Sequence, residues 1–263
     1  MNRIEKKLAE LKEQGKKAFI TYMTAGLPDM EGMKQVILTQ EEAGTDILEI
    51  GIPFSDPVAD GPVIQDASYR SILKGTNLTK VFQAVKELRA TCEMPFVFMM
   101  YYNTILYYGV EKFVDTCIET GVDGLIIPDL PFEEQGEIKQ FLGKEGAPIL
   151  IQLVSPVSRQ RIPMILENAR GFVYCVSSMG VTGQDDGFYE EVKTYLENVK
   201  KQSNIPVMMG FGIKTADDVS FVKDTIDGCI VGSHIIQLME KSQYDLETIR
   251  EYVRQFKDEL NKK

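Results

Sequence analysis

The chain has one histidine and no tryptophan among its 263 residues. With His234 as the single imidazole, neither a multi-histidine metal centre nor a histidine-based nucleophilic triad is expected. The four cysteines, Cys92, Cys117, Cys175 and Cys229, lie far apart and show no CxxC spacing. They read as buried free thiols of a reducing compartment, not as disulfides or metal ligands. No apolar run approaches the roughly 18 residues that a membrane helix needs. The N-terminal stretch MNRIEKKLAELKEQGKKAF is charged and amphipathic and lacks the apolar core of a signal peptide. A cytoplasmic protein without a membrane partner is the expectation. Basic residues are also the minority, 29 against 39 acidic ones, for a net charge of −10. With no basic stripe, nucleic acid is not an expected partner. A small anion remains compatible, because a local nest of backbone N–H groups holds phosphate whatever the net charge.

What the sequence does have is a recurring short apolar run between turn signals. Runs begin at positions 18 (AFITYM), 46 (DILEIGI), 95 (PFVFMMYY), 123 (DGLIIP), 148 (PILIQLV), 172 (FVYCVS), 206 (PVMMGFG) and 228 (GCIVG). Amphipathic patterns such as Val81, Val85 and Leu88, or Phe113, Cys117 and Ile118, lie between them. Strands alternating with helices predict βαβ units and a parallel sheet. Eight units in a chain of this length predict an α/β fold of the (β/α)8 barrel type, in one domain spanning residues 1–263. The units beginning at 46 and 172 are the longest, which places extended loops after strands two and six. Asn77 reads as the cap of an additional helix in the second unit. Ile4, Leu8 and Leu11 make an N-terminal helix suited to cap the barrel's lower mouth. Ile249, Tyr252, Val253, Phe256 and Leu260 make a last helix that closes the outer ring.

The stretch EIGIPFSDPVADGP, residues 49–62, carries more acid than a strand end needs. If Leu48 and Ile50 face the helices, Glu49 faces the interior of the barrel near its upper rim. A carboxylate there is either a structural one, in an interior salt bridge or hydrogen-bonded at the rim, or used as an acid or base. Asp60 has two readings as well, a turn or N-cap residue ahead of Pro62 or a functional carboxylate. Pro53, Pro57 and Pro62 restrict the loop between them. Asp56 reads as exposed.

GFGI (210–213) and VGSHI (231–235) end the last two strands, where such barrels bind phosphate through backbone N–H groups and a helix N-terminus. Gly183 of GVTG could supply a third side, and tight turns are the alternative for all these glycines. His234 reads as a packing or surface residue. Tyr174 on strand six either packs in the core or reaches into the barrel. Met99 to Tyr102 read as an apolar wall. Lys214 is the nearest candidate for a Schiff-base aldolase.

With these motifs assembled, the sequence resembles the alpha chains of tryptophan synthase nearly end to end. The resemblance rests on FITYMTAG on strand one, EIGIPFSDPVADGPVIQ on strand two, MMYYN on strand three and GVTG in the sixth loop. GFGI and VGS follow after the last two strands. It implies a lyase that cleaves indole-3-glycerol phosphate to indole and glyceraldehyde 3-phosphate by a retro-aldol reaction. By that resemblance Glu49 is the general acid–base, Asp60 accepts a hydrogen bond from the indole N–H and Tyr174 is auxiliary. Gly183, Gly212, Gly232 and Ser233 fall on phosphate-binding positions. The resemblance implies no metal and no cofactor in this chain, and a beta-chain partner bearing pyridoxal phosphate in an αββα assembly. Pro53 and Asp56 match the loop that meets that partner, and residues 101–109 share its face. Ser178 stands where many relatives carry arginine, so a charged contact from that position is not expected.

Overall fold

The structure, a computed structural model, describes residues 1–176, 186–210 and 212–262, and the side chains of 186–188 lie outside that description. The expected apolar runs form parallel strands: β1 (Ala18–Thr24), β2 (Ile47–Gly51), β3 (Phe96–Met99), β4 (Gly124–Ile126), β5 (Ile149–Leu150), β6 (Gln152–Val154), β7 (Val173–Val176), β8 (Val207–Gly210) and β9 (Gly228–Val231). Their order is β5-β4-β3-β2-β1-β9-β8-β7-β6. The fifth expected strand is thus divided. β5 pairs with β4, β6 pairs with β7, and Ile151 joins them. The two ends of the sheet are therefore one stretch of chain, and the sheet closes into a (β/α)8 barrel. The sixth, seventh and eighth runs of the sequence are β7, β8 and β9.

Both faces of the strands are apolar, as a parallel sheet covered on both sides requires. Ile20, Ile47, Val97, Ile126, Ile149, Phe172, Met208 and Ile230 fill the interior. Their alternate neighbours, among them Phe19, Leu48, Ile50, Phe98, Val173 and Val231, pack outward on the helices. Helix α1 (Arg3–Glu13) sends Ile4, Leu8 and Leu11 into the interior cluster and closes the lower mouth, as the sequence predicts. Asn2 caps α1 and also donates to the Asp123 carbonyl, which ties the plug to the start of β4.

The lower rim carries a device used three times. Asp46, Asp123 and Asp227 each precede a strand and accept the backbone N–H of the neighbouring strand, from Phe19, Phe96 and Val207, at 2.7, 2.9 and 2.7 Å. Each is paired with a cation: Lys257 with Asp46, Arg89 and Arg3 with Asp123, and Lys200 with Asp227. A buried carboxylate is tolerated when it is paired and hydrogen-bonded, as the buried Asp46 and Asp123 are, and the partly exposed Asp227 is held in the same way.

Around the sheet run α2 (Met30–Ala43), α3 (Pro62–Leu73), α4 (Leu78–Leu88), α5 (Tyr102–Tyr108) and α6 (Val110–Thr120). They are followed by α7 (Gly136–Lys139), α8 (Ile162–Leu166), α9 (Asp186–Gln202), α10 (Ser233–Lys241) and α11 (Leu246–Asn261). Asn77 caps α4 as expected, accepting from the Lys80 amide. The α11 stripe buries Ile249, Val253, Phe256 and Leu260, and Phe256 stacks on Phe19 with ring centroids 4.2 Å apart. The second unit holds the loop 52–61 and the extra helix at the upper end of β2. The sixth-loop readings, Ser178 and Gly183, lie outside the described residues, as does Phe211 of GFGI.

Candidate active site

Glu49 sits on β2 in register with Tyr22 of β1 and Val97 of β3. Its inward parity is as predicted, and it is 1% exposed. Among the described residues no cation pairs with it, and its Oε1 has no hydrogen-bond partner. The interior salt bridge, one of the readings open from sequence, is therefore not what this carboxyl makes. Burial without a countercharge pushes its pKa up to about 8. The group is a neutral acid at pH 7 that can still ionise in the working range.

Asp60 does not cap the following helix; Gly61 occupies the cap position of α3 and Pro62 its first turn. The Asp60 side chain is held instead by Tyr101, whose hydroxyl donates to Oδ2 at 2.9 Å and accepts the Ala59 N–H at 2.9 Å. Burial raises the Asp60 pKa above its ordinary value and the Tyr101 hydrogen bond opposes the rise. The Asp60 amide closes a turn on the Pro57 carbonyl at 3.0 Å, and Gln65 Nε2 donates to the Asp60 carbonyl at 2.8 Å. Tyr101 also stacks on Phe54, centroids 5.1 Å apart. The expected apolar wall at 99–102 is thus corrected at Tyr101. It lies past the end of β3, precedes α5, and acts as a polar clamp.

Tyr174 on β7 points inward, and its ring and hydroxyl lie 2.5 Å from the place a β-carbon on Gly210 would take. Burial, then the charges of Glu49 and Asp60, hold its phenol well above the ordinary value, so it stays protonated. Tyr22, which sequence reading passed over as one residue of an apolar run, joins the same group. Its hydroxyl lies 1.8 Å from where a β-carbon on Gly51 would be. The available signal was a glycine at each strand end beside a tyrosine on the neighbouring strand.

At the end of β9, the neighbour of β1, Gly232 is the cap position of α10 and Ser233 its first residue. Among the described residues no side chain caps this helix, so its first N–H groups are open to an anion. Gly212, beyond β8, has φ +75, a conformation that favours glycine, and no atom of the described residues lies within 4 Å of where a β-carbon would be. Arg70 of α3 pairs with Glu240 of α10, so the helix behind Asp60 and the helix behind Ser233 are joined. His234 packs near Tyr252, centroids 5.5 Å apart, as a packing residue would. The Lys214 amide bonds Asp218, and its carbonyl accepts the Tyr252 hydroxyl. Pro53 is half-buried and Asp56 is exposed beside Ser55, with Val58 84% and Tyr107 95% exposed on the same rim region. All four cysteines are free and buried. Among the described residues no cluster suited to a metal ion occurs, and no helix is long and apolar enough to cross a membrane.

A (β/α)8 barrel with a neutral acid buried at its mouth, and a clamped carboxylate beside it, has the layout of an acid–base enzyme. The family model for the tryptophan synthase alpha chain matches residues 8–263. A tryptophan synthase alpha chain of Lachnospira eligens is 64% identical over 99% of this chain and 100% of that one. One from a Thermoanaerobacter species is 45% identical over 95% of each. The crystal structure of the subunit alpha of Legionella pneumophila superposes with a TM-score of 0.90 at 35% identity, covering 99% and 98% of the two chains. The chain belongs to the tryptophan synthase alpha chain family, and it catalyses the alpha reaction of tryptophan biosynthesis.

Proposed function

We propose that this chain, as a single (β/α)8 unit over residues 1–263, carries out the retro-aldol cleavage through Glu49 and Asp60. The single observation that carries the assignment is the buried Glu49 carboxyl, which has no paired cation among the described residues and whose pKa is raised to about 8. Protonated Glu49 delivers its proton to indole C3. The Asp60 carboxylate accepts the indole N–H and stabilises the cationic indolenine that results. Glu49, now ionised, takes the proton of the side-chain hydroxyl as the carbon–carbon bond breaks, and is returned to its neutral form. Indole and glyceraldehyde 3-phosphate leave with all protons accounted for. Tyr174 borders the acid as an auxiliary group. Gly212, Gly232 and Ser233, with Gly183 from the sixth loop, bind the phosphate.

No cofactor takes part in these steps. The indole passes to a beta chain that carries pyridoxal phosphate, in an αββα assembly, and Pro53 and Asp56 with residues 101–109 form the surface that meets it. Leu106 and Tyr107, exposed on α5, support that placement. The four buried free thiols suit a cytoplasmic enzyme.

The test is release of glyceraldehyde 3-phosphate from indole-3-glycerol phosphate by the purified chain, with and without added beta chain. Glu49→Gln is expected to lose activity by roughly 10²-fold or more while remaining folded. A folded Glu49→Gln variant with undiminished release would end the assignment.

A further inference from the structure

Tyr22 occupies a position that packing alone does not require. Its side chain points inward from β1 and packs in one cluster with Leu27, Ala67 of α3 and Ile236 of α10. Its hydroxyl stands over Gly51, and Gly51 follows Glu49 by two residues on the same inward side of β2. The hydroxyl is therefore one layer above the Glu49 carboxyl, in the direction of the mouth. The other end of the residue lies beside the next strand, β9. The Tyr22 β-carbon lies 3.9 Å from where a β-carbon on Gly232 would be, at the open N-terminus of α10.

Tyr22 thus spans the distance between the acid and the uncapped helix. Tyr174 makes the same arrangement with Gly210 on β8, so the barrel mouth holds two phenols, each lodged over a glycine of the next strand. A phenylalanine would fill the space between α3 and α10 equally well. The tyrosine adds a polar atom one layer above Glu49, beside the Thr24 hydroxyl. Burial, opposed by Thr24 and reinforced by the carboxylates of Asp60 and Glu49, keeps this phenol protonated, so it is available as a donor.

A substrate whose indole sits at Asp60 and whose phosphate sits at Ser233 must run its carbon chain past Tyr22. We propose that the Tyr22 hydroxyl binds a hydroxyl of the substrate's three-carbon chain and makes the site prefer a hydroxylated chain over a bare alkyl chain. The inference rests on the placement of ring and phosphate given under the proposed function. It makes Tyr22 a determinant of specificity, and Gly51 the residue that leaves room for it.

The experiment compares the full chain with its Tyr22→Phe variant on two ligands. One is indole-3-glycerol phosphate. The other has the same ring and phosphate joined by an unsubstituted propyl chain. Loss of one hydrogen bond to the chain predicts a fall of roughly fivefold to tenfold in kcat/KM for the first, carried mainly by KM. The dissociation constant of the second is expected to stay within about twofold of its original value. Equal weakening of both ligands would show that the residue only positions the ring wall, and no change in either would show the hydroxyl idle. Both results overturn the proposal. Ser233→Asp, run alongside, should weaken both ligands, and its failure to do so would overturn the phosphate placement separately.

Discussion

The Tyr101 hydroxyl donates to Asp60 Oδ2 and accepts the Ala59 N–H, each at 2.9 Å, so one phenol fixes both the 52–61 loop and its carboxylate. Tyr101→Phe keeps the stack on Phe54 and removes both hydrogen bonds. The expected result is a loss of about 0.5–1.5 kcal/mol in stability for each bond removed. Activity should fall roughly tenfold as Asp60 loses its orientation. The Tyr101 bond holds the Asp60 pKa down, so its removal should move the acidic limb of the rate profile to higher pH. Chemical denaturation and a pH series of kcat/KM check the two parts, and an unshifted acidic limb would contradict the clamp.

On the proposed mechanism Glu49 provides the alkaline limb. As a proton donor it must be neutral, and burial raises its pKa to about 8. Activity should therefore decline as pH rises through about 8. Stability should respond in the same window for a different reason. The folded state keeps the Glu49 proton while the unfolded chain, with an ordinary carboxyl, has lost it. Unfolding free energy then falls with rising pH between the unfolded and folded pKa values, by at most about 1.4 kcal/mol per unit. Glu49→Gln should flatten that fall, which urea titrations at pH 5 and pH 8 would measure. Parallel curves for the two proteins would show that Glu49 is not neutral in the fold.

Ser233→Asp separates the helix from the site it opens. A negative charge at the N-terminus of α10 favours the helix by about 0.3–1 kcal/mol. The same charge repels a phosphate. Thermal stability should hold or rise slightly while KM increases tenfold or more, and an unchanged KM would remove the anion site.

Tyr107 is 95% exposed on α5, an aromatic side chain with nothing of its own chain to cover it among the described residues. Aromatic side chains in that position are the usual energetic centres of an interface. Tyr107→Ser should weaken beta-chain binding tenfold or more in a titration and leave the basal lyase rate of the isolated chain unchanged. Binding of undiminished strength would place the partner elsewhere.

How much was legible in the sequence follows from which interactions are local. The strands were legible because each one is an apolar run, and Glu49 was legible because strand parity puts it opposite to Leu48 and Ile50. The division of the fifth strand at Ile151 was not, because PILIQLV is apolar throughout and the change of partner from β4 to β7 is a property of barrel closure. Tyr22 and Tyr101 were missed for a related reason. Each looks like wall until the register brings Gly51 beneath one and Asp60 against the other. The three rim aspartates were visible ahead of their apolar runs, but their common role depends on neighbouring strands, which sequence spacing does not record. His234 and Asn77 needed only their immediate surroundings, and both came out as read.

Helix α1 makes the barrel blind-ended. With Ile4, Leu8 and Leu11 lodged in the lower mouth, substrate and both products must use the upper one. A protein that docks over that opening then governs all traffic at once. It needs no seal on the far side, and a small apolar product released beneath it has a single direction in which to go. Handing indole onward without losing it to water is, in this barrel, a matter of covering one door.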